Sequence, residues 1–537
     1  HGGLYRASER FFQFILWIYE KTLAACLRHP FVMLIATVLT IICTVALYVI
    51  VPKGFFPQQD TGRMMGMILA DQDISFQTMK RLLEDFAGII GKDPGVENVI
   101  AFTGGGGAAN SGRMFINLKP LKDRRLSADQ IIDRVRPQLG RVPGAVCILQ
   151  SVQDIRVGGR LGGGQYQYTL QGETIEELNE WAPKMLAKMR TLPGITDLTS
   201  DQQNRGLQAA LVIDRATASR LGVSAQMIDD TLYDAFGQRQ VSTMYTQLNQ
   251  YHVVMEVDPQ FNQNPEGLKQ IYVKSTNAGQ IPLSAVAHYA TSTSALSIPH
   301  QGQFPAVTIS FNLQTGYALG DAVIAVEKAA RDMGLPGSIH GKFQGTAQAF
   351  QDSLNNQILL IIAALVTVYI VLGVLYESFI HPVTILSTLP SAGVGALVAM
   401  LAFRTELNVI GMIGIILLIG IVKKNAIMMI DFALAAERNE GKSPRDAIFQ
   451  ACLLRFRPIT MTTMAAMLGG LPLALGTGMG AEMRRPLGIA IVGGLIFSQM
   501  LTLYTTPVIY LYLDRLRLWF VRLRAGTSPV PALPLET

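Results

Sequence analysis

The stretch FVMLIATVLTIICTVALYVIV, residues 31–51, decides the fold class that the sequence indicates. It carries no charged residue, and as an α-helix it is long enough to cross the roughly 30 Å hydrocarbon core of a bilayer. Comparable apolar runs return only after residue 355, and they occupy residues 357–376, 383–403, 408–436, 459–478 and 487–513. We therefore predict an α-helical membrane bundle of six transmembrane helices, with a long polar region between the first helix and the second.

The composition supports a membrane protein with a large water-exposed part. The 537 residues are 49% hydrophobic and 16% charged, with a mean hydropathy of +0.30, which is too apolar for an ordinary soluble protein. A net charge of +6 could indicate nucleic-acid binding. The basic residues flank apolar runs instead of forming one patch with aromatics, so membrane lipid is the expected partner and nucleic acid is not. The chain begins with His1 and no signal-peptide pattern follows, so we expect a fragment of a longer protein.

Basic residues cluster on one side of the six-helix bundle, and the opposite short loops hold few. The clustered residues are Arg6, Arg10, Lys21, Arg28, Arg438, Lys442, Arg445, Arg455, Arg457, Arg515, Arg517, Arg522 and Arg524, and the opposite ones are Arg404, Arg484 and Arg485. By the positive-inside rule, both chain ends lie in the cytoplasm and residues 56–350 lie outside. Residues 1–30 predict an amphipathic helix on the cytoplasmic side. The first transmembrane helix, with the residues that follow it, covers 31–55. The other five transmembrane helices cover 351–513, and residues 514–537 form a cytoplasmic tail.

The external region has a repeated order of strands and helices. Residues 56–153 read as strand, helix, two strands, helix and strand, which is the ferredoxin-like βαββαβ order. The order starts again in 154–237 and is completed in 294–350. A strand-rich insert occupies 238–293. The prediction is an external α+β region of two ferredoxin-like units, the second of which carries an insert.

Four motifs carry a family resemblance that covers essentially the whole chain. They are GFFPQQD (54–60), LYESF (375–379), KNAI (424–427) and RFRPITMT (455–462). With the six-span layout, they resemble the C-terminal half of a resistance–nodulation–division (RND) transporter, of the branch that exports drugs from Gram-negative bacteria. The stretch IVKKNAIMMIDFALAAER resembles members that can form mixed trimers.

The resemblance implies a secondary active transporter and not an enzyme. Such a protein is a proton-driven antiporter of the inner membrane, exports small amphiphilic compounds, and needs no cofactor beyond the proton gradient. It works as a homo- or hetero-trimer with a periplasmic adaptor and an outer-membrane channel. The external units would be porter subdomains in the periplasm, and the insert a docking-type subdomain.

Three charged residues interrupt the fourth apolar run. Lys424 and Asp431 are seven residues apart, so they share a helix face to within roughly 20°, while Lys423 points about 100° away from Lys424. A charged side chain at the centre of a transmembrane helix costs about 2.5–3.5 kcal/mol on insertion scales. Each of the three residues is therefore expected to have a charged partner, to extend to the membrane interface or to have a function. The resemblance implies that Lys424 belongs to a proton relay together with Asn425. Lys423 is expected to snorkel and Asp431 to be a structural acid.

Arg455 and Thr462 repeat this spacing in the next run. From the residues alone, two interpretations stay open: an interfacial arginine with a threonine bonded to its own helix, or a functional pair. The resemblance implies that both belong to the relay. It also implies that the proton-carrying aspartate pair lies in an N-terminal half outside this chain.

Candidate substrate residues lie in the external region. Tyr166 and Tyr168 alternate along a strand, so both rings face one side, which suits ordinary packing as well as binding. The resemblance implies that both belong to a substrate cleft, together with Phe115, Met67 and Ile100. Flexible methionine and rigid aromatic side chains suit promiscuous apolar binding.

The glycine-rich stretch TGGGGAANSG, residues 103–112, has no Lys-Ser/Thr pair and precedes no helix, so it is not a phosphate loop. The resemblance implies a switch loop, with Gly104, Gly105, Gly106 and Gly107 where other members carry phenylalanines. No cysteine, histidine or carboxylate cluster has metal-ligand spacing, so no metal site is expected.

Two alternatives remain open. The first is another RND branch, such as a metal, lipid or protein-export helper. For a metal pump, methionines should converge, but alternation puts only Met65 and Met67 of the 64–67 group on one face. The second is a membrane-anchored enzyme or a scaffold. An enzyme would need a catalytic constellation within 56–350, where the sequence offers no nucleophile–base pair.

Overall fold

Helices occupy both ends of the chain, and strands occupy its middle. The computed structural model describes residues 3–104, 108–159 and 163–524. The helices are α1 (Gly3–Arg28), α2 (Pro30–Ile50), α3 (Phe76–Gly91), α4 (Leu121–Arg124), α5 (Ala128–Leu139), α6 (Ile175–Met189), α7 (Arg215–Arg220), α8 (Ala225–Phe236), α9 (Pro259–Asn262), α10 (Leu319–Asp332), α11 (Thr346–Tyr376), α12 (His381–Leu386), α13 (Leu389–Ala402), α14 (Val409–Glu440), α15 (Pro444–Ala474) and α16 (Ala481–Arg524). The strands are β1 (Arg63–Ala70), β2 (Val96–Thr103), β3 (Ser111–Leu118), β4 (Ala145–Ser151), β5 (Tyr166–Gln171), β6 (Ile195–Ser200), β7 (Gly206–Ile213), β8 (Arg239–Tyr245), β9 (Gln250–Met255), β10 (Tyr272–Ser275), β11 (Gly279–Pro282), β12 (Ala287–Ser294), β13 (His300–Gln301), β14 (Phe304–Leu313) and β15 (His340–Gln344).

Within the described residues, five stretches of helix are long and apolar enough to cross a membrane. They are Pro30–Ile50, Thr346–Tyr376, His381–Ala402, Val409–Glu440 and Ala481–Arg517. The sixth predicted span, residues 459–478, falls largely on α15, which is helical but does not reach this hydropathy. Arg455, Arg457 and several threonines in that helix lower its apolar character. The structure therefore supports five of the six predicted spans on composition.

The membrane helices pack closely where small residues meet. A Cβ added to Gly395 of α13 would lie 2.5 Å from the carbonyl oxygen of Gly493 in α16, and one added to Gly493 would lie 2.2 Å from Ala399 Cβ. Such a crossing requires glycine, because any side chain would force the two helices apart. By contrast, a Cβ added to Gly469 of α15 would meet nothing within 4 Å.

The first external unit is a four-stranded antiparallel sheet in the order β2-β3-β1-β4, with α3 and α5 contributing to its core. In β1 the alternate residues Met64 and Ile68 are buried, which directs Met65 and Met67 to the opposite face. Ser127 caps α5 in a capping box with Gln130, and this fixes where that helix starts. The observed element order here matches the predicted βαββαβ order.

The second external unit repeats this sheet order. Its sheet has five strands, of which the four longer ones run β6-β14-β5-β15, all antiparallel, while the two-residue β13 also pairs with β14. Residues 166–170 of the central strand β5 are buried. The assignment of residues 154–237 to this unit predicts that the last strand of that segment joins this sheet. That strand is β7, which pairs instead with β12.

The insert therefore starts earlier than predicted. Helix α8 buries Ile228 in a separate core with Val273 and Leu283, not in the core of the second sheet. The predicted boundary at residue 238 is wrong, because β7, α7 and α8 belong to the insert, which runs from residue 206 to residue 294. Alternating apolar residues reveal a strand but not its pairing partner.

The segment GFFPQQD connects the bundle to both external units. Gly54 N donates to Leu407 O at 3.2 Å, and Val409 N donates to Phe55 O at 3.1 Å, which ties the segment to the loop before α14. Phe55 is buried in the core of the second unit. Asp60 forms an ion pair with Arg124 of the first unit, and both side chains are almost completely buried.

Candidate functional site

Asn425 lies at the centre of a polar contact between the three helices α14, α15 and α16. Its Nδ2 donates to Thr463 Oγ1 of α15 at 3.0 Å, and that hydroxyl donates to Gln499 Oε1 of α16 at 2.8 Å. Asn425 and Thr463 are both buried. The chain of hydrogen bonds satisfies polar groups that would be costly inside an apolar bundle, and it fixes the registers of α14, α15 and α16 relative to one another.

Thr462 makes a different contact from the one that the relay interpretation suggests. Its Oγ1 donates to the Ile459 carbonyl of its own helix at 3.0 Å. This is the hydrogen bond expected if Thr462 is bonded to its own helix and is not part of a functional pair with Arg455. Thr463, one residue further along, is the threonine that reaches Asn425. Sequence reasoning missed Thr463 and Gln499. Each of them is a polar side chain within a largely apolar helix, and that pattern could have marked them as candidates to contact the KNAI motif.

Arg455 is half-buried and lies against α14. Its guanidinium carbon is 4.1 Å from the ring centroid of Phe432. Its Nε is buried and has no hydrogen-bond partner among the described residues. A buried guanidinium with a free donor normally has an acidic or carbonyl partner, because leaving such a donor unsatisfied is costly.

The charged residues of α14 have different surroundings. Lys424 is exposed on the surface of this chain, Lys423 is half-buried, and Asp431 is exposed but accepts a hydrogen bond from Tyr376 Oη of the LYESF motif. Within the described ranges neither Lys424 nor Arg455 forms a salt bridge. Asp431 therefore links α14 to α11.

A cavity of about 360 Å³ opens between the two external units. Phe115 and Tyr166 both line it, with Phe56 and Met65. Phe115 is 45% exposed, whereas Tyr166 is 7% exposed and accepts a hydrogen bond from Gln58 Nε2 at 3.3 Å. The structure thus brings two of the five predicted substrate residues together.

The other three predicted substrate residues lie elsewhere. Tyr168 is 4% exposed and packs edge-on against Phe343, with ring centroids 4.9 Å apart, inside the core of the second unit. Met67 lines a separate cavity of about 270 Å³ with Ile148. Ile100 is exposed beside Phe115 on the neighbouring strand and does not line the larger cavity.

The structure describes residues 103–104 and 108–112 of the predicted switch loop. Gly104 has φ +89°, a backbone conformation that favours glycine. Gly105, Gly106 and Gly107 lie outside the described residues. In the part of the chain that the structure describes, no group of three or more histidine, cysteine or acidic residues could hold a metal ion.

A second cavity, of about 420 Å³, lies where the external units meet the loops of the membrane bundle. Glu406, in the loop before α14, lines it, and burial followed by the charge of Asp321 raises the pKa of Glu406 to about 6. Asp129 lines it from α5, and burial and the charges of Asp60 and Asp133 raise the pKa of Asp129. Sequence reasoning missed these two carboxylates of the lining, because they come from distant segments of the chain.

Comparison with solved structures identifies the fold. A structure titled as a heavy metal efflux pump, crystal form II, superposes with a TM-score of 0.84 at 22% identity, covering 94% of this chain and 53% of that one. Crystal form I gives 0.80 at 23% identity, covering 93% and 51%. At such identities the match shows a shared fold and nothing more.

The family follows from the sequence comparisons. The model of the AcrB/AcrD/AcrF family matches residues 1–514, and the chain belongs to that family of RND efflux transporters. It is 55% identical over 504 residues to "Multidrug resistance protein MdtC" of Cronobacter sakazakii and of Escherichia coli, covering 94% of this chain and 49% of each relative. The chain thus spans about half the length of these curated relatives. The predicted family resemblance is confirmed.

Proposed function

We propose that this chain is the C-terminal half of a proton-driven antiporter subunit that exports amphiphilic drugs across the inner membrane of a Gram-negative bacterium. The 55% identity to a multidrug resistance protein supports drugs as the substrate class. The observation that carries the mechanism is the pair of cations on adjacent helices: Lys424 exposed on α14, and Arg455 on α15 with a donor that no described residue satisfies. The proton gradient supplies the energy, and no cofactor is required.

The finer architecture belongs to the same proposal. Helix α15 packs against both α14 and α16, and we take it as the sixth span, which puts both ends of the described bundle on the cytoplasmic side. The two external sheets share one strand order, and we interpret them as ferredoxin-like porter subdomains in the periplasm. The insert, residues 206–294, is then the docking-type subdomain. The assembled pump is a homo- or hetero-trimer with an adaptor and an outer-membrane channel.

Lys424 provides the coupling in this proposal. An ammonium beside ionised carboxylates of the other half makes their burial tolerable, and protonation of one carboxylate frees the lysine to reorient. The buried contacts from Asn425 through Thr463 to Gln499 would pass that reorientation to α15 and α16. Each proton that moves inward contributes about 2.3 kcal/mol per 100 mV of membrane potential. That energy biases a two-state equilibrium between conformations of the bundle.

The test replaces each adjacent lysine in the complete protein. Lys424→Ala should abolish drug resistance while the trimer still assembles, because the carboxylates lose their counter-charge. Lys423→Ala is the matched control and should retain most of the resistance, because Lys423 points to a different side of α14. Normal resistance in Lys424→Ala, or an equal loss in both variants, would contradict the proposed relay.

Substrate contact is proposed for the cavity between the external units. Its lining by Phe115 and Tyr166 gives rigid aromatic surfaces suited to apolar parts of varied drugs. Roles for Tyr168, Met67, Ile100 and the switch loop at Gly104 remain predictions from the resemblance. Phe115→Ala should lower the drug concentration that the cell tolerates, and Val146→Ala, at an exposed side chain of β4 that does not line the cavity, is its control. Equal effects of the two would argue against this cavity.

Metal export is the weaker candidate. Met64 and Met65 both border the cavity between the external units, but Met64 is 1% exposed and belongs to the core of the first unit, and Met67 lines a different cavity. Three neighbouring methionines therefore do not converge on one site, and the geometry favours apolar drugs over soft metal ions.

A further inference from the structure

A small cavity lies at the end of the bundle where α1 finishes and α16 leaves the last span. It has a volume of about 70 Å³ and is formed by the α1–α2 junction, the start of α15 and the last part of α16. The residues that line it are Leu27, Pro30, Arg445, Leu511, Tyr512 and Arg515. The proposed efflux cycle does not use it.

Two cations line the cavity, and neither has an acidic partner among the residues that the structure describes. Arg445 and Arg515 are exposed, and within residues 3–104, 108–159 and 163–524 neither forms a salt bridge. Other cations at this end are paired: Arg457 with Glu9 at 3.4 Å, and Arg517 with Asp514 at 2.7 Å. Two free guanidinium groups on one cavity favour an anion with several acceptor oxygens, which arginine binds in a bidentate manner.

The rest of the lining is apolar or amphipathic. Leu27, Pro30 and Leu511 supply hydrocarbon surface, and Tyr512 lies under the Arg515 guanidinium with the ring centroid 6.0 Å from its carbon. Residues of this composition meet at the level of lipid headgroups, where one side of a ligand is charged and the other is apolar.

Helix α1 marks the membrane surface beside the cavity. Trp17 and Phe14 are 50% and 59% exposed and stack with centroids 6.3 Å apart, and Lys21 Nζ lies 3.9 Å from the Trp17 ring centroid. The opposite face of α1 is fixed to the bundle by Tyr19, which donates to Leu503 O at 2.9 Å. An amphipathic helix held in this way presents aromatic side chains to the interface, at the end of the bundle that carries the cavity.

We propose that this cavity binds the phosphodiester headgroup of an anionic phospholipid, with Arg445 and Arg515 contacting the phosphate oxygens. The acyl chains would lie along the outer surface of α2, where Phe31 and Val32 are 65% and 61% exposed. Basic pockets between helices on the cytoplasmic side of membrane proteins bind such headgroups. The volume suits a single phosphate group and excludes a drug-sized molecule. The proposal rests on the cytoplasmic orientation of the proposed function, but not on proton coupling.

Native mass spectrometry of the complete protein in detergent tests the proposal, with phosphatidylglycerol, phosphatidylethanolamine and inorganic phosphate as the probes. Phosphatidylglycerol should bind more tightly than phosphatidylethanolamine. The double variant Arg445→Gln, Arg515→Gln should weaken its binding roughly tenfold or more, because each basic residue near an anionic lipid contributes a several-fold factor. The matched control Arg438→Gln, Lys442→Gln removes the same charge from the same end and should change binding little.

A filling variant separates the cavity from its charges. Leu511→Trp keeps both arginines but occupies the space and should also weaken phosphatidylglycerol binding. Equal losses in the control and the test variants would show general surface attraction and overturn the site. Displacement of the lipid by millimolar inorganic phosphate would assign the site to free phosphate instead. Lys424→Ala should bind the lipid normally, so a failure of this proposal is distinguishable from a failure of the transport proposal.

Discussion

At the scale of single residues, Asp60 is a buried carboxylate of the external region whose charge is compensated by three hydrogen-bond donors. Arg124 Nη2 donates to Asp60 Oδ1 at 2.5 Å, and the backbone amides of Gly62 and Ala128 each donate to the same carboxylate at 3.1 Å. Burial alone would raise the pKa of Asp60, but these donors outweigh it and lower the pKa. The pair therefore stabilises the folded unit at neutral pH, and its contribution is lost as the pH falls through the lowered pKa.

Arg124→Met should destabilise the first external unit by about 3–5 kcal/mol, because it leaves the Asp60 carboxylate buried without its counter-charge. Hydrogen-exchange mass spectrometry of the complete protein should show faster exchange in β1 and α5. Arg63→Gln is the control. It removes an arginine of the same unit that is 57% exposed and paired with Asp154, which is 62% exposed, and it should cost about 1 kcal/mol or less. Equal losses of stability in the two variants would show that burial of the Asp60–Arg124 pair does not determine the cost of removing its arginine.

Glu406 should give the opposite pH dependence. Burial and then Asp321 raise its pKa to about 6 in the folded protein, so its protonated form is favoured by folding. Its stabilising contribution is present below the unfolded pKa and is lost as the pH rises through about 6. Glu406→Gln should therefore raise the melting temperature at pH 7.5 and have little effect at pH 4.5. A larger gain at the lower pH would refute this assignment.

The relay threonine shows what spacing can and cannot predict. Residues 455 and 462 share a helix face, as seven-residue spacing requires. Their side-chain bonds still depend on what the neighbouring helices present. The Thr462 hydroxyl donates to the Ile459 carbonyl of the same helix, whereas the Thr463 hydroxyl accepts a hydrogen bond from Asn425 of α14. Periodicity along one helix does not contain that information.

At the scale of elements, the contact between α13 and α16 is set by glycines. In an open helix position, Gly→Ala is worth about 1 kcal/mol of stabilisation. At Gly395 the new methyl group would lie 2.5 Å from Gly493 O and 2.6 Å from Phe497 Cβ, so overpacking should reverse the sign. Gly395→Ala should lower the melting temperature of the detergent-purified protein by an amount corresponding to roughly 1–3 kcal/mol.

The control for this prediction is Gly469→Ala in α15, where a methyl group meets nothing within 4 Å. This variant should leave the melting temperature unchanged or raise it. If both substitutions acted in the same direction, the close approach of α13 and α16 would not limit stability.

Element prediction succeeded where one local pattern decides the structure. Long apolar runs gave α2 and α14, and alternation gave β1 with Met64 buried. It failed where the position of an element depends on a partner that is distant in the sequence. Strand β7 has the same local pattern whether it joins the second sheet or pairs with β12. The cavity containing Glu406 was missed for the same reason.

At the scale of the whole molecule, the proposed coupling needs the aspartate pair of an N-terminal half, and the exposed Lys424 and the incompletely satisfied Arg455 support that part of the proposal. This chain alone, reconstituted in vesicles with an imposed pH gradient, should give no proton-coupled drug transport. Co-expression with the N-terminal half of an MdtC relative should restore transport, because that half is proposed to carry the aspartate pair. Measurable transport by this chain alone would contradict that assignment.

The way the insert is attached has a consequence for how such proteins diversify. Gly206 pairs with Ser294 across β7 and β12, and Gln203 forms a bridge with Ser297, so the chain leaves and re-enters at neighbouring points. Neighbouring antiparallel strands are about 5 Å apart, a gap that a two-residue turn can close. The insert can therefore be exchanged as a cassette between homologues, or deleted by joining residue 205 to residue 295, without altering the strand order of the second sheet. Recombination at these two points would combine one membrane bundle with inserts from different homologues.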